Sequence, residues 1–193
     1  YFPMDTLTSH GLILGKTRSG KSFLALIIIE EALKAGIRVK VFDPHGTLVN
    51  RLPENQNLVR TFTRGTADIT RDLQEVYDDA SGWPETNTLR LLVVLDETQL
   101  LKSKNLVASL NELGKRGVGF LLITQYATTI PPIARNLGTL FIMAAMSETE
   151  MERFREVTLH PSAKLIPRLP KGMSFVFSPS WYPEPFFVAH RFW

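Results

Sequence analysis

Short apolar runs alternate with longer stretches of helical period along this chain. Leu12 to Leu14 predicts a first strand. Ser22 to Ala35 predicts a helix that is apolar nearly all round at its start, and so buried. Ile37 to Phe42 alternates, with Ile37, Val39 and Val41 on one face and Arg38 and Lys40 on the other. That pattern predicts a half-exposed strand near a sheet edge. Asp68 to Ala80 predicts an amphipathic helix, broken by Ser81-Gly82-Trp83-Pro84. Leu91 to Leu95 is a continuous apolar run, as in a strand covered on both faces. Asn105 to Leu113 predicts a helix closed by Gly114, and Val118 to Ile123 another buried strand. Pro131-Pro132 opens a short helix, and Leu140 to Met143 predicts a further buried strand. Ser147 with Glu150 three residues on resembles a capping box for a helix through Val157. Beyond Pro161 the chain is proline-rich, and Phe175 to Phe177 with Phe186 to Ala189 predict a terminal hairpin or edge pair. Strands and helices in this alternation predict an α/β three-layer domain with a mainly parallel sheet.

Composition narrows the chemistry. The 193 residues are 44% hydrophobic and 21% charged, ordinary for a globular domain and too apolar for a disordered chain. No run approaches the roughly 20 apolar residues of a membrane span, so direct membrane insertion is not expected. No secretory signal pattern opens the chain, and Met4 is read as a start, with the three residues before it given no weight. Cysteine is absent, which excludes disulfides and thiol or thiolate-metal chemistry and fits a reducing compartment. The net charge of +3 neither demands nor forbids nucleic acid.

Gly15-Lys16-Thr17-Arg18-Ser19-Gly20-Lys21-Ser22 fits the phosphate-loop pattern, between an apolar strand and a helix. Its glycines let successive backbone N–H groups wrap a phosphate, and the next helix turns its N-terminus to the same anion. Lys21 is expected to meet the β- and γ-phosphates of ATP, and the Ser22 hydroxyl to ligate Mg²⁺. The strand Leu91 to Leu95 ends in Asp96-Glu97, beyond the carboxyl end where α/β sheets bind ligands. Asp96 is placed to hold Mg²⁺, and Glu97 to act as the base that hydrolysis requires. A third apolar strand ends in Thr124-Gln125, where Gln125 would sense the γ-phosphate or orient water.

Together these pieces resemble the additional-strand, catalytic-glutamate division of P-loop NTPases and, more narrowly, the FtsK–HerA superfamily of DNA-pumping ATPases. Asp43-Pro44-His45-Gly46 is similar to a stretch common in HerA-like proteins, although Thr47 stands where an acidic residue often follows. Gly114-Lys115-Arg116-Gly117-Val118-Gly119, running into Ile123-Thr124-Gln125, resembles the family's Arg-x-Gly-x-Gly strand. Pro131 to Met143, with Asn136, resembles the segment after it. The likeness spans residues 11 to 157 of one ATPase domain, and 158 to 193 form a C-terminal extension. A core this small is most similar to the genome-packaging ATPases of membrane-containing icosahedral viruses. The resemblance implies a RecA/FtsK-like fold, ATP and Mg²⁺ as cofactors, double-stranded DNA as partner, and a homo-oligomeric ring, by analogy a hexamer. It also implies capsid or portal-vertex proteins as partners, in the cytoplasm of an infected host cell or at a packaging vertex of the virion. Arg116 is the leading trans arginine finger and Arg135 the second candidate.

Other residues carry less. Lys102 and Lys104 would contact DNA phosphates or form a solvated face. His10, His45, His160 and His190 show no metal-ligand spacing, and His45 is read as ordering its turn. The aromatic tail of Phe175, Phe177, Trp181, Tyr182, Phe186, Phe187, Phe192 and Trp193 reads as core or subunit packing. A cellular HerA-like or conjugation ATPase is the nearest alternative. A small-molecule kinase is disfavoured by Asp96-Glu97, and a non-hydrolysing assembly protein by the intact Lys21, Glu97 and Gln125.

Overall fold

The computed structural model describes residues 2–61, 66–98, 104–125, 137–143 and 160–190. One sheet of eight strands organises them. The strands are β1 (Gly11–Leu14), β2 (Arg38–Phe42), β3 (Leu58–Thr61), β4 (Thr86–Leu95), β5 (Arg116–Thr124), β6 (Thr139–Met143), β7 (Met173–Ser178) and β8 (Tyr182–Ala189). Their order across the sheet is β3-β2-β4-β5-β1-β6-β7-β8. The first six run parallel, and β7 and β8 add an antiparallel hairpin on β6. The helices are α1 (Lys21–Lys34), α2 (Thr66–Ala80) and α3 (Lys104–Glu112). This is the mainly parallel three-layer architecture that the hydrophobic pattern predicts, with the C-terminal hairpin continuing the sheet.

Alternation of side chains across the central strands makes two cores. Leu12 and Leu14, Leu91, Val93 and Leu95, and Val118, Phe120 and Leu122 face one way, toward Leu73 of α2 and Leu106 of α3. Ile13, Leu92 and Val94, and Leu121 and Ile123 face the other way, toward Leu24, Ile28 and Ile29 of α1. Burial on both faces is why these strands read as continuous apolar runs.

Several elements differ from the sequence expectation. Strand β2 lies near the sheet edge as its alternation predicts, but one place in, because the four-residue β3 pairs along it from Val39 to Phe42. Its cationic face is still partly covered: Arg38 lies 4.8 Å from the Trp83 ring and Lys40 5.3 Å from the Phe42 ring. Strand β4 begins at Thr86, five residues before its apolar run, with a register irregularity between Thr86 and Leu91. Strand β8 includes Pro183 and Pro185, which an edge strand tolerates because one row of its N–H groups needs no partner. A 3₁₀ segment at Met4–Ser9 packs under the sheet. There, a side chain at Gly119 would put its Cβ 2.5 Å from the Leu7 carbonyl oxygen, so the strand tolerates only glycine at this crossing. Phe2, given no weight above, meets Phe141 and Trp181 edge-on. The helices expected from Pro131 and from Ser147 lie outside the described residues.

Candidate active site

The parallel order places the carboxyl ends of β1, β4 and β5 side by side, with β5 between the phosphate-loop strand and the Asp96 strand. The strand that intervenes in space is therefore β5, whereas β2 intervenes only in sequence. All the chemistry predicted at strand ends converges on this edge.

The loop from Gly15 leaves β1 and turns into α1. Arg18 and Gly20 hold positive φ, at 66° and 111°. Gly20 is the N-cap of α1 and its carbonyl accepts the Leu24 N–H at 3.0 Å, so the N-terminus of the helix opens on the loop. The Lys21 side chain is buried and its Nζ donates to the Lys16 carbonyl across the loop at 3.0 Å. Burial pushes the Lys21 ammonium below its ordinary pKa, and Glu97 and then Asp96 pull it back up. Ser19 Oγ is buried without a hydrogen-bond partner among the described residues, in the loop whose backbone would wrap a phosphate.

Asp96 sits 7% exposed at the end of β4. Its Oδ1 accepts the Glu97 N–H at 2.9 Å, and its Oδ2 faces the Thr47 hydroxyl at 3.4 Å. Burial pushes its pKa up to about 6; the Glu97 N–H bond opposes this, the Glu97 and Asp43 carboxylates add to it, and Lys21 opposes it. Two carboxylates, Glu97 and Asp96, thus act on the one buried ammonium. The buried Asp96 carboxylate and the orphaned Ser19 hydroxyl of the loop are hard oxygen donors, which suit a divalent cation bound together with a phosphate chain. Ser22 and Asp96 would hold the metal. Glu97 follows with φ at 52°, an uncommon value for a non-glycine residue and one that clusters at functional sites.

Gln125 follows β5 and reaches both neighbours. Its Nε2 donates to Glu97 Oε1 at 3.1 Å, and its Oε1 accepts from the Thr17 hydroxyl at 2.8 Å. Thus the structure brings Thr17, Lys21, Asp96, Glu97 and Gln125 into one constellation. Arg116 lies at the other end of β5, where its guanidinium donates to the Trp83 carbonyl. Eight steps of strand place it roughly 26 Å from Thr124 within the same subunit. Arg135, Asn136 and Lys102 lie outside the described residues, and Lys104 opens α3.

The contributions of Asp43, the terminal hairpin and His10 were not visible in the sequence. Asp43, fully buried, accepts the N–H groups of His45, Leu48 and Val49 at 3.2, 2.6 and 3.1 Å. The carboxylate, rather than His45, orders the turn, and it delivers Thr47 to Asp96. The terminal hairpin also touches the loop, since the Gly172 N–H donates to the Ser19 carbonyl at 3.2 Å and the Gly172 carbonyl accepts from His190 at 2.7 Å. Phe175 and Phe187, and Trp181 and Phe186, pack edge-on, while Tyr182 and Phe187 stay exposed to solvent. His10 is buried with Nδ1 accepting the Phe120 N–H, which leaves Nε2 to donate to the Leu110 carbonyl at 2.8 Å.

The fold recurs in solved structures. The DNA-packaging ATPase B204 of Sulfolobus turreted icosahedral virus is 15% identical, with a TM-score of 0.74 over 96% of this chain and 98% of that one. The B204 NTPase of Sulfolobus turreted icosahedral virus 2 in complex with ATP-gammaS is 13% identical, with a TM-score of 0.72 over 96% and 99%. The bacterial conjugative coupling protein TrwBdeltaN70 is 12% identical, with a TM-score of 0.75 over 98% and 86%. Comparison with curated proteins gave no match. The profile described as helicase HerA, central domain, matches residues 1–116. The chain belongs to that family, within the FtsK–HerA superfamily of P-loop ATPases.

Proposed function

We propose that this protein hydrolyses ATP to drive double-stranded DNA, and that it packages a viral genome into a preformed capsid. The observation that supports hydrolysis is the hydrogen-bonded approach of Gln125 to Glu97 beside the phosphate loop, as expected of a base held next to an attacking water. Bound Mg²⁺·ATP supplies the γ-phosphoryl group and the charge that offsets it. Lys21 and the loop N–H groups hold the phosphates. Glu97 takes the proton of the attacking water at its carboxylate. Asp96, its second oxygen steadied by Thr47, keeps the metal side of the site in register.

A subunit of this size does not surround a duplex, so the working form is a ring, and the family analogy favours a hexamer. Arg116, or Arg135 in its place, completes a neighbour's site. Arg116 must then reach that site from the far end of the sheet. Lys102 and Lys104 contribute phosphate contacts to DNA. Capsid or portal-vertex proteins dock the ring, in the infected cell or at a packaging vertex of the virion. The likeness to B204 supports this reading. The equal likeness to TrwBdeltaN70 favours a second one, a conjugation or HerA-like DNA pump. Both are DNA motors, and a neighbouring gene for a capsid protein or for a conjugation apparatus separates them.

The test is phosphate release from ATP with no acceptor present. We expect release by the wild-type protein, stimulation by duplex DNA, and loss in Glu97→Gln protein that still binds ATP. Transfer only in the presence of a small-molecule acceptor would overturn the reading in favour of a kinase.

A further inference from the structure

We infer that Thr17 is a positioning residue for the general base, acting through Gln125. The inference rests on the hydrolytic reading of this site and adds a role to a residue otherwise assigned only to the phosphate. Three side chains from three distant parts of the chain form a continuous path. The Thr17 hydroxyl lies 2.8 Å from Gln125 Oε1, and Gln125 Nε2 lies 3.1 Å from Glu97 Oε1 and 3.5 Å from Oε2.

The polarity of the path follows from the chemistry of its ends. A general base is an ionised carboxylate, and an ionised carboxylate only accepts hydrogen bonds. The Gln125 amide must therefore turn its NH₂ to Glu97, which turns its carbonyl to Thr17. The Thr17 hydroxyl then has to donate. Of the loop residues, Thr17 is the one whose hydroxyl reaches this amide, and it is 108 positions away in sequence.

Without the Thr17 hydroxyl, no other donor among the described residues holds the amide carbonyl, rather than the NH₂, on that side. The amide is free to turn over, and a carbonyl oxygen against the Glu97 carboxylate is repulsive. Glu97 also holds a left-handed backbone conformation, which persists only where surroundings enforce it. Loss of one restraint on its side chain moves the base away from the water. A displacement of about 1 Å can cost roughly 10²-fold in rate.

Thr17→Val keeps the shape and removes the hydroxyl. We expect kcat to fall about 10- to 100-fold with the KM for ATP changed less than about 3-fold. Thr17→Ser should restore most of the lost kcat. In a Glu97→Gln background, which has no base left to position, adding Thr17→Val should lower the residual rate no further. A readout independent of turnover uses nucleotide-free protein. The two side-chain amide proton resonances of Gln125 should move in Thr17→Val and return in Thr17→Ser. A raised KM at unchanged kcat would limit Thr17 to the phosphate and overturn the inference. So would an undiminished effect in the Glu97→Gln background, or Gln125 resonances that do not move. A wild-type protein that releases no phosphate contradicts the hydrolytic reading instead, and with shifted Gln125 resonances the hydrogen-bond path stands while its catalytic purpose falls.

Discussion

Lys21 and Glu97 divide binding from chemistry, and single substitutions should separate the two. Lys21 is a buried ammonium whose pKa is lowered by burial and whose Nζ rests on a loop carbonyl. A phosphate would draw it away from that carbonyl. Lys21→Ala removes the cation facing the β- and γ-phosphates. Nucleotide affinity, followed by titration with a fluorescent ATP analogue, should collapse while circular dichroism stays that of the wild type. Unchanged affinity in the folded variant would remove the phosphate loop from the account. Glu97→Gln keeps volume and hydrogen-bonding capacity and removes the base. Hydrolysis should drop about 10²- to 10⁴-fold with ATP still bound. The variant is best read in single-turnover experiments, where retention of near wild-type rate would assign the base to another group.

Among the elements, the turn after β2 and the crossing at β5 have the clearest physical reasons. Asp43 satisfies three backbone N–H groups with one buried carboxylate. Asp43→Ala leaves at least two of those donors buried without a partner, at about 1–3 kcal/mol each before relaxation. Chemical denaturation should show a loss in that range, together with weakened metal-dependent nucleotide binding as Thr47 moves off Asp96. His10 sets a pH dependence of the fold itself. It is held neutral between Phe120 and Leu110, and burial pushes its pKa down from 6.5 to about 4. Between those values the unfolded chain binds the extra proton, so stability falls as pH drops from about 6.5 to 4, by about 3 kcal/mol in total. The Asp96 carboxyl, pushed up to about 6, acts in the opposite sense over the same window, so His10 is read from the difference in denaturation midpoints: relative to His10→Gln, the wild type should lose stability as pH falls. Equal slopes in the two proteins would place the titration elsewhere.

Legibility in the sequence followed the range of the interaction. The phosphate loop, Asp96-Glu97 and the buried strands were readable because each is local: a spacing, or an apolar run covered on both faces. Strand β3 was not, since Leu58–Thr61 is four residues with no sustained alternation, and its pairing with β2 defines it. The start of β8 was hidden by its prolines, which suit an edge only once the edge is known. Gln125 was readable as a strand-end polar residue, but its link to Thr17 crosses the fold. The glycines from Gly114 to Gly119 carry the family resemblance beside Arg116. At Gly119 the physical reason is the Leu7 carbonyl at the far end of β5, away from the nucleotide edge.

At the scale of the whole molecule, the proposed DNA contact and trans finger each make a distinct prediction. If DNA contact is through phosphates, affinity falls steeply with salt and shows no preferred sequence. Removing Lys102 and Lys104 together should flatten that slope, and an unchanged slope would place the DNA path on another surface. If Arg116 acts in trans, Arg116→Ala and Glu97→Gln proteins, each inactive alone, should regain part of the activity when mixed, because some interfaces then pair an intact Glu97 with an intact Arg116. A finger of this kind is worth about 10³- to 10⁵-fold in related NTPases. Mixed rings without recovered activity would move the test to Arg135. The central claim is ATP-driven movement along a duplex, and the most direct measurement is displacement of a triplex-forming strand from double-stranded DNA by the purified protein. We expect displacement that requires ATP hydrolysis, is delayed in proportion to the length of duplex before the triplex, and is absent with Glu97→Gln. Hydrolysis stimulated by DNA with no displacement at any duplex length would contradict it.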